Sequence, residues 1–336
     1  MNTTRPVMVA VGGDSGTGKT TLVRGLYQLF GADRITNICL DDYHRLDRVA
    51  RKRAGVTALN PVANDMDLMA EQIEALRRGE TISKPTYDHS TGTFGPRETV
   101  KPREIVVIRG LFPLFTPRLR SAFDLRIWLE PQEELKWSWK VKRDCAQRGY
   151  SVPEVIRQIM ERRDDHLAHI APQRAHADLI VEFYPPPGYF RPGTAVENDD
   201  AHLNVRLHLG RRLPRLDLDD VLAAAAGGGQ PPAIRLESGA EVGRGWSILE
   251  IDGTVPPVGA RELDERIWAH METHRHLRPD DVGGYLDGTT ERHSDPLALA
   301  QLLISYQVVR AGADRGVMVG GQAPGTAMSL PVAARS

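Results

Sequence analysis

The 336-residue chain sets 43 Lys and Arg against 44 Asp and Glu, with 41% hydrophobic and 26% charged residues; this is ordinary globular composition, which excludes wholesale disorder and a polyanion-coating role. A net charge of −1 predicts no binding to nucleic acid or to a membrane surface, and no apolar run reaches the length needed to cross a bilayer or forms the core of an export signal. Only Cys39 and Cys145 occur, so no disulfide framework is expected and the reducing cytoplasm is the expected location.

In chain order, the apolar run 7–11 predicts a buried strand and 19–30 the helix after it. Residues 35–40 predict a second strand ending on Asp41 and Asp42. Residues 65–78 predict a helix, with Met66, Met69, Ile73 and Leu76 at helical spacing. Strands are expected at 104–108 and 125–129, helices at 132–148 and 152–169, and a further strand at 179–183. Short apolar runs alternating with helices imply a parallel sheet covered on both faces. Residues 1–184 are therefore expected to form one doubly wound α/β core. Pro185, Pro186, Pro187 and Gly188 mark a connection. Strands at 203–209, 233–236 and 246–251, a low-complexity loop at 223–229, and helices at 260–276 and 296–310 predict a C-terminal mixed α+β extension over 185–315. The Gly-, Ala- and Pro-rich stretch 316–336 is expected to be a disordered tail.

Gly13-Asp14-Ser15-Gly16-Thr17-Gly18-Lys19-Thr20 joins the first strand to the first helix and fits G-x-x-x-x-G-K-[ST]. Its glycines let successive N–H groups face a phosphate chain at a helix N-terminus, whose partial positive charge favours anions. Lys19 is expected to reach the β- and γ-phosphates and the Thr20 hydroxyl to ligate magnesium, with Thr21 closing the nucleotide-binding segment. ATP and Mg2+ are thus the expected cofactors, on a P-loop kinase-type, mostly parallel sheet. No G-x-G-x-x-G runs through the turn, which argues against a dinucleotide loop.

Strand ends face one crevice in such sheets. Asp41 and Asp42 at the second strand's end either take a proton from a substrate hydroxyl or cap a helix. Arg45, Arg48, Arg51, Lys52 and Arg53 follow, suiting either a phosphorylated substrate or a solvated helix face. Lys140, Lys142, Arg143, Asp144 and Arg148 share one expected helix, as a salt-bridged surface or as a basic cover over the transferring group. His270, His274 and His276 have spacing for two metal ligands without an HExxH motif, and a structural role is the reading taken. His166 and His169 are placed in the covering-helix region, and Trp137 and Trp139 are expected to pack in the core.

GGDSGTGKTT, ICLDDYHRLDR, RKRAGVTALNPVANDMDLM, KPTYDH, WKVKRDCAQRG and RRDDHLAHIAPQRAHADL resemble, in order, segments of the phosphoribulokinases of plants, algae and cyanobacteria, relatives of uridine kinases. GWSILEIDG and the last helices resemble their C-terminal part, so the likeness spans about residues 5–311 and is weakest over 185–245. The resemblance implies transfer of the ATP γ-phosphoryl group to the C1 hydroxyl of ribulose 5-phosphate, giving ribulose 1,5-bisphosphate for the Calvin cycle. It implies Asp41 as base, with Lys19, Lys140, Arg143 and Asp144 completing the catalytic set. By the same token His44, Arg48, Lys52, Tyr87, His89 and Arg148 hold the sugar phosphate, Thr20, Asp41 and Asp42 hold the metal, and the protein is a homodimer. Two residues depart from the pattern. Arg109 stands where these proteins carry an acid that helps hold magnesium, which points to impaired turnover or to another acid, such as Asp42, in its place. Thr17 replaces a P-loop cysteine that pairs with the one matching Cys39, so thioredoxin switching of the plant type is expected to be absent. A kinase for another sugar or for a nucleoside is the remaining alternative.

Overall fold

The computed structural model describes residues 5–190, 202–213, 217–226, 232–238, 246–271 and 282–313. Strand β1 (Val7–Gly12) is buried along its whole length and feeds the glycine-rich loop and helix α1 (Lys19–Phe30). Strand β2 (Ile35–Cys39) ends one residue earlier than its apolar run suggests. Leu40 and Tyr43 are drawn into the core and wind residues Leu40–Tyr43 into a 3-10 turn that carries Asp41 and Asp42. Helix α2 (Arg48–Ala54) is capped by Asp47, and α3 (Met66–Arg77) by Asp65, whose carboxylate accepts from Leu68 N.

An antiparallel hairpin follows, β3 (Ile82–Asp88) and β4 (Thr93–Val100). It is absent from the sequence expectation for a physical reason. β4 is exposed over nearly all its length and Pro85 interrupts β3, so neither shows the apolar alternation that marks a half-buried strand. Then come β5 (Ile105–Gly110), the short α4 (Pro117–Ser121), β6 (Leu125–Leu129) and α5 (Glu133–Arg148). The helix expected over 152–169 is broken: α6 (Val152–Glu161), opened by a Ser151–Glu154 capping box, gives way to α7 (Arg163–Asp165), a π turn over His166–Ile170 and a 3-10 turn over Ala171–His176. The chain re-enters the sheet as β7 (Leu179–Tyr184).

The extension adds β8 (Asn204–Leu209), α8 (Asp219–Ala225), β9 (Ile234–Ser238), β10 (Ser247–Ile251), α9 (Pro257–Ala269), the hairpin β11 (Gly284–Asp287) and β12 (Thr290–His293), and α10 (Asp295–Ala313). Residues 223–225, expected in a loop, close α8 instead, because Val221 and Ala225 are buried on one side of that turn of helix. All but the two hairpins join one eight-stranded sheet, in the order β2-β5-β1-β6-β7-β8-β10-β9. The first five strands are parallel and the last three antiparallel. The central sheet is thus α/β with helices on both faces. Val7, Val9 and Val11 pack with α1, α9 and α10, while Met8 and Ala10 pack with α3 and α4. A Cβ on Gly25 of α1 would overlap the carboxamide of Gln301 in α10, so this glycine permits the closest approach between the two helices. Gln301 donates to Thr21 O at 3.1 Å and accepts from Gly283 N at 2.9 Å, tying the extension to the start of α1.

Candidate active site

A cleft of about 750 Å³ opens at the carboxyl ends of the parallel strands. Residues 15–21 line one wall. Gly18, with φ 89°, caps α1 without a side-chain partner, and the helix carries no acid in its first turn, so its N-terminal N–H groups stay open to an anion. Gly16 also has φ 89°, and a Cβ there would come 3.1 Å from Lys140 Cβ, so α5 lies directly on the loop. Lys19 bends back on the loop, donating to Gly13 O at 2.8 Å and to Asp14 O. Burial lowers its pKa to about 8, with Arg143 and Arg109 acting in the same direction and Asp41 and Asp14 opposing. Asp14 faces away from the main cleft, into a smaller cavity with Lys136, Lys140 and His166. Burial alone would raise its pKa, but His166 at 3.2 Å and Lys136 at 3.4 Å lower it below the usual range.

Asp41 and Asp42 are neighbours in sequence with different surroundings. Asp41 faces the cleft and, among the described residues, its side chain has one ionic partner, His89, 3.5 Å away. Burial opposes its charge, yet His44, His89, Lys19 and Arg109 outweigh that and hold its pKa below the usual carboxylate range. Asp42 is committed to the β3–β4 hairpin: one oxygen accepts from Tyr87 N at 2.9 Å and the other from Lys84 Nζ at 2.5 Å. Asp42 also lines the cleft, so it can reach a metal only with the acceptor capacity these two bonds leave. For magnesium accompanying a nucleotide the chain offers the Thr20 hydroxyl and the Asp41 carboxylate, and no cluster of three or more His, Cys, Asp or Glu occurs among the described residues.

The far end of the cleft is built around Tyr87. Its ring meets His44 edge-on at 4.8 Å and His89 at 5.2 Å, and its hydroxyl accepts from Arg51 Nη2 at 2.8 Å. His44 Nδ1 lies 2.7 Å from Asn64 Oδ1, and burial keeps the ring's pKa below the ordinary histidine value. Arg48 bonds to His89 O. Lys52, by contrast, is exposed on α2 and is not among the residues that line the cleft. From the roof, Asp144 of α5, 0% exposed, binds Lys140 at 2.7 Å, Arg143 at 2.8 Å and Arg148 at 3.3 Å. Of these, Arg143 and Arg148 line the cleft, and Arg143 also donates to Ser15 Oγ at 3.1 Å. Lys140 is buried over the smaller cavity. The cations of this helix are thus salt-bridged to Asp144 and lie against the glycine-rich loop.

Arg51, Arg162 and Trp139 also line the cleft. Trp139 meets Phe183 at 5.9 Å instead of entering the core. Arg162, the first residue of RRDDHLAHIAPQRAHADL, carried no assigned role in the sequence; it lies at the junction of α6 and α7. His270 pairs with Asp220 at 2.8 Å; His274, His276 and 316–336 lie outside the described residues. Cys39 and Cys145 are free thiols, and burial pushes the Cys39 thiol up to about 12.

A glycine-rich loop wrapped around a helix start, a lysine within it, and strand-end acids facing cations across a cleft define a P-loop α/β protein of the kinase type. The chain matches the model of the phosphoribulokinase / uridine kinase family over residues 8–186, and it belongs to that family. It is 48% identical over 181 residues to the phosphoribulokinase of Synechocystis sp., covering 54% of each chain. With the chloroplastic phosphoribulokinase of Triticum aestivum it shares 42% identity over 198 residues, covering 54% of this chain and 49% of that one. The chain thus spans about half the length of the curated relatives it matches. The solved phosphoribulokinase from Rhodobacter spheroides superposes with a TM-score of 0.56 at 19% identity, over 77% of this chain and 94% of that one, a likeness of fold. The family match ends at residue 186, before GWSILEIDG. Among the described residues no helix is long and apolar enough to cross a membrane.

Proposed function

We propose that this chain is an ATP-dependent sugar-phosphate kinase, a phosphoribulokinase that converts ribulose 5-phosphate to ribulose 1,5-bisphosphate. The observation that carries this reading is Asp41, an ionised carboxylate with a single weak partner, set between the P-loop and a cation-lined pocket. In the proposed reaction the C1 hydroxyl oxygen forms a bond to the γ-phosphorus. The bond from that phosphorus to the bridging oxygen breaks, ADP leaves, and Asp41 accepts the hydroxyl proton. Lys19 and Arg143 neutralise charge on the transferring group, while Arg48, Arg51, His44, Tyr87, His89 and Arg148 orient the sugar phosphate. Magnesium bound to the nucleotide, held by Thr20 and Asp41, would screen the phosphoryl charge. A homodimer, a place in the Calvin cycle and a cytoplasmic location belong to the same reading.

Arg109 favours a second reading, a relative that binds nucleotide and turns over weakly. Its guanidinium lines the cleft at the end of β5, leaving Thr20 and Asp41 as the metal's protein ligands. A coupled assay with MgATP and ribulose 5-phosphate separates the two. Wild-type turnover that disappears in Asp41→Asn supports the kinase. Nucleotide binding without turnover, restored by Arg109→Glu, supports the second reading. Turnover only with another sugar phosphate or a nucleoside would keep the chemistry and replace the substrate.

A further inference from the structure

We propose that Arg109 is a direct ligand of the nucleotide's phosphate chain, so that ATP binds this chain without a divalent cation at least as tightly as with one. The inference rests on the nucleotide-binding reading of the P-loop and concerns the form of nucleotide that the loop accepts.

The position of Arg109 follows from strand parity. Ile105 and Val107 of β5 face the α1 side of the sheet, and Arg109 is the next residue in that row. It lies in register with Val11, two residues before the P-loop begins at Gly13, and with Cys39, immediately before the Asp41 turn. Its side chain lines the cleft, and its charge reaches Lys19, Asp41 and Cys39. Its Nε is buried with no hydrogen-bond partner. A guanidinium donor removed from water without an acceptor is unfavourable until an anion arrives, and its planar fork suits phosphate oxygens.

Charge in the cleft points the same way. Among the described residues, Lys19, Arg48, Arg51, Arg109 and Arg162 line it without a carboxylate partner within 4.0 Å. The acids along the same wall are largely neutralised. Asp42 is held by Lys84, Asp287 by Lys142 at 2.9 Å, and only Asp41 remains with its lone histidine. A metal-free polyphosphate brings the full negative charge that this excess of cations lacks. A divalent cation entering beside Arg109 meets like charge and one open carboxylate.

The test is ATP binding to the full chain by titration calorimetry, in EDTA and in excess magnesium, for wild type and two variants. Wild type is expected to bind at least as tightly in EDTA. Arg109→Gln is expected to lose about tenfold or more of its affinity in EDTA and less in magnesium, as removal of one charge-assisted phosphate contact predicts. Arg109→Glu is expected to bind about tenfold more tightly with magnesium than without, because an acid there repels bare phosphate and attracts the metal. Wild-type affinity tenfold lower in EDTA than in magnesium overturns the proposal without recourse to any variant. Unchanged affinity of folded Arg109→Gln in EDTA overturns it as well. No ATP binding under either condition overturns the nucleotide-site reading itself.

Discussion

At the antiparallel end of the sheet, charged side chains neutralise one another. Glu250 on β10 accepts from Tyr184 of β7, from Arg235 of β9 at 3.1 Å and from Arg206 of β8 at 3.4 Å. Arg206 also stacks 4.0 Å over the Tyr184 ring, and His208 lies 3.1 Å from Glu182. At the parallel end, Lys19, Arg51, Arg109 and Arg162 line a cleft, and among the described residues no carboxylate is bound to them. The same residue types are a cross-strand ladder in one region and a cationic cleft wall in the other. The difference comes from topology. Antiparallel neighbours bring opposite charges into register across the sheet, whereas parallel strands deliver their ends side by side to one open edge.

The contrast can be broken most severely at Asp41. Asp41→Asn is expected to lower turnover by about 10²- to 10⁴-fold, the usual worth of a positioned base, while ATP affinity in EDTA, where no metal bridges to Asp41, is not weakened. Equal turnover in the two proteins would remove Asp41 from the chemistry.

Acids that hold several cations should differ in worth between the two regions. Asp144 is 0% exposed and ties Lys140, Arg143 and Arg148 together. Asp144→Ala is expected to destabilise the fold by about 3–5 kcal/mol, because it strands buried positive charge. Glu250→Ala, whose arginine partners are 34% and 36% exposed, is expected to cost about 1–3 kcal/mol. Thermal or urea unfolding of both variants checks the order, and a reversed order would contradict the assignment of Asp144 as the buried centre of the covering helix.

A smaller effect is expected from pH. Lys19 carries a proton below a pKa of about 8 in the free protein, so ATP affinity should fall as pH rises through about 8, by about tenfold for loss of one charge-assisted contact. Arg109 and Arg143 help depress that pKa, so the break should move to higher pH in Arg109→Glu. A flat profile between pH 7 and 9.5 in calorimetric titrations would count against a buried lysine at the phosphates. The smallest effect is none: with Thr17 in the loop and the Cys39 thiol buried, turnover should be indifferent to reduced thioredoxin. A reproducible several-fold activation would contradict this.

The parallel core, the P-loop and the strand end bearing Asp41 were legible in the sequence because each rests on local pattern. A buried run, a helix period and a glycine-lysine motif are all properties of neighbouring residues. The hairpin β3–β4 was not legible, since its polar strands are held by Asp42 and Lys84 across 42 positions of chain. The same long-range contact ties one of two cleft-lining aspartates to the hairpin. It separates Asp41 from Asp42, which no composition or spacing does. Likewise the cationic wall of Arg51, Arg109 and Arg162 combines a short helix, a strand end and a helix terminus brought together only by folding. The sequence by itself determined the sheet, its loop and the kind of ligand the loop accepts, because backbone conformation and hydrophobic periodicity are encoded over a few residues. Tertiary structure alone decided which charges pair and which remain free, because Coulomb and hydrogen-bond energies depend on distances between residues that the chain order does not set.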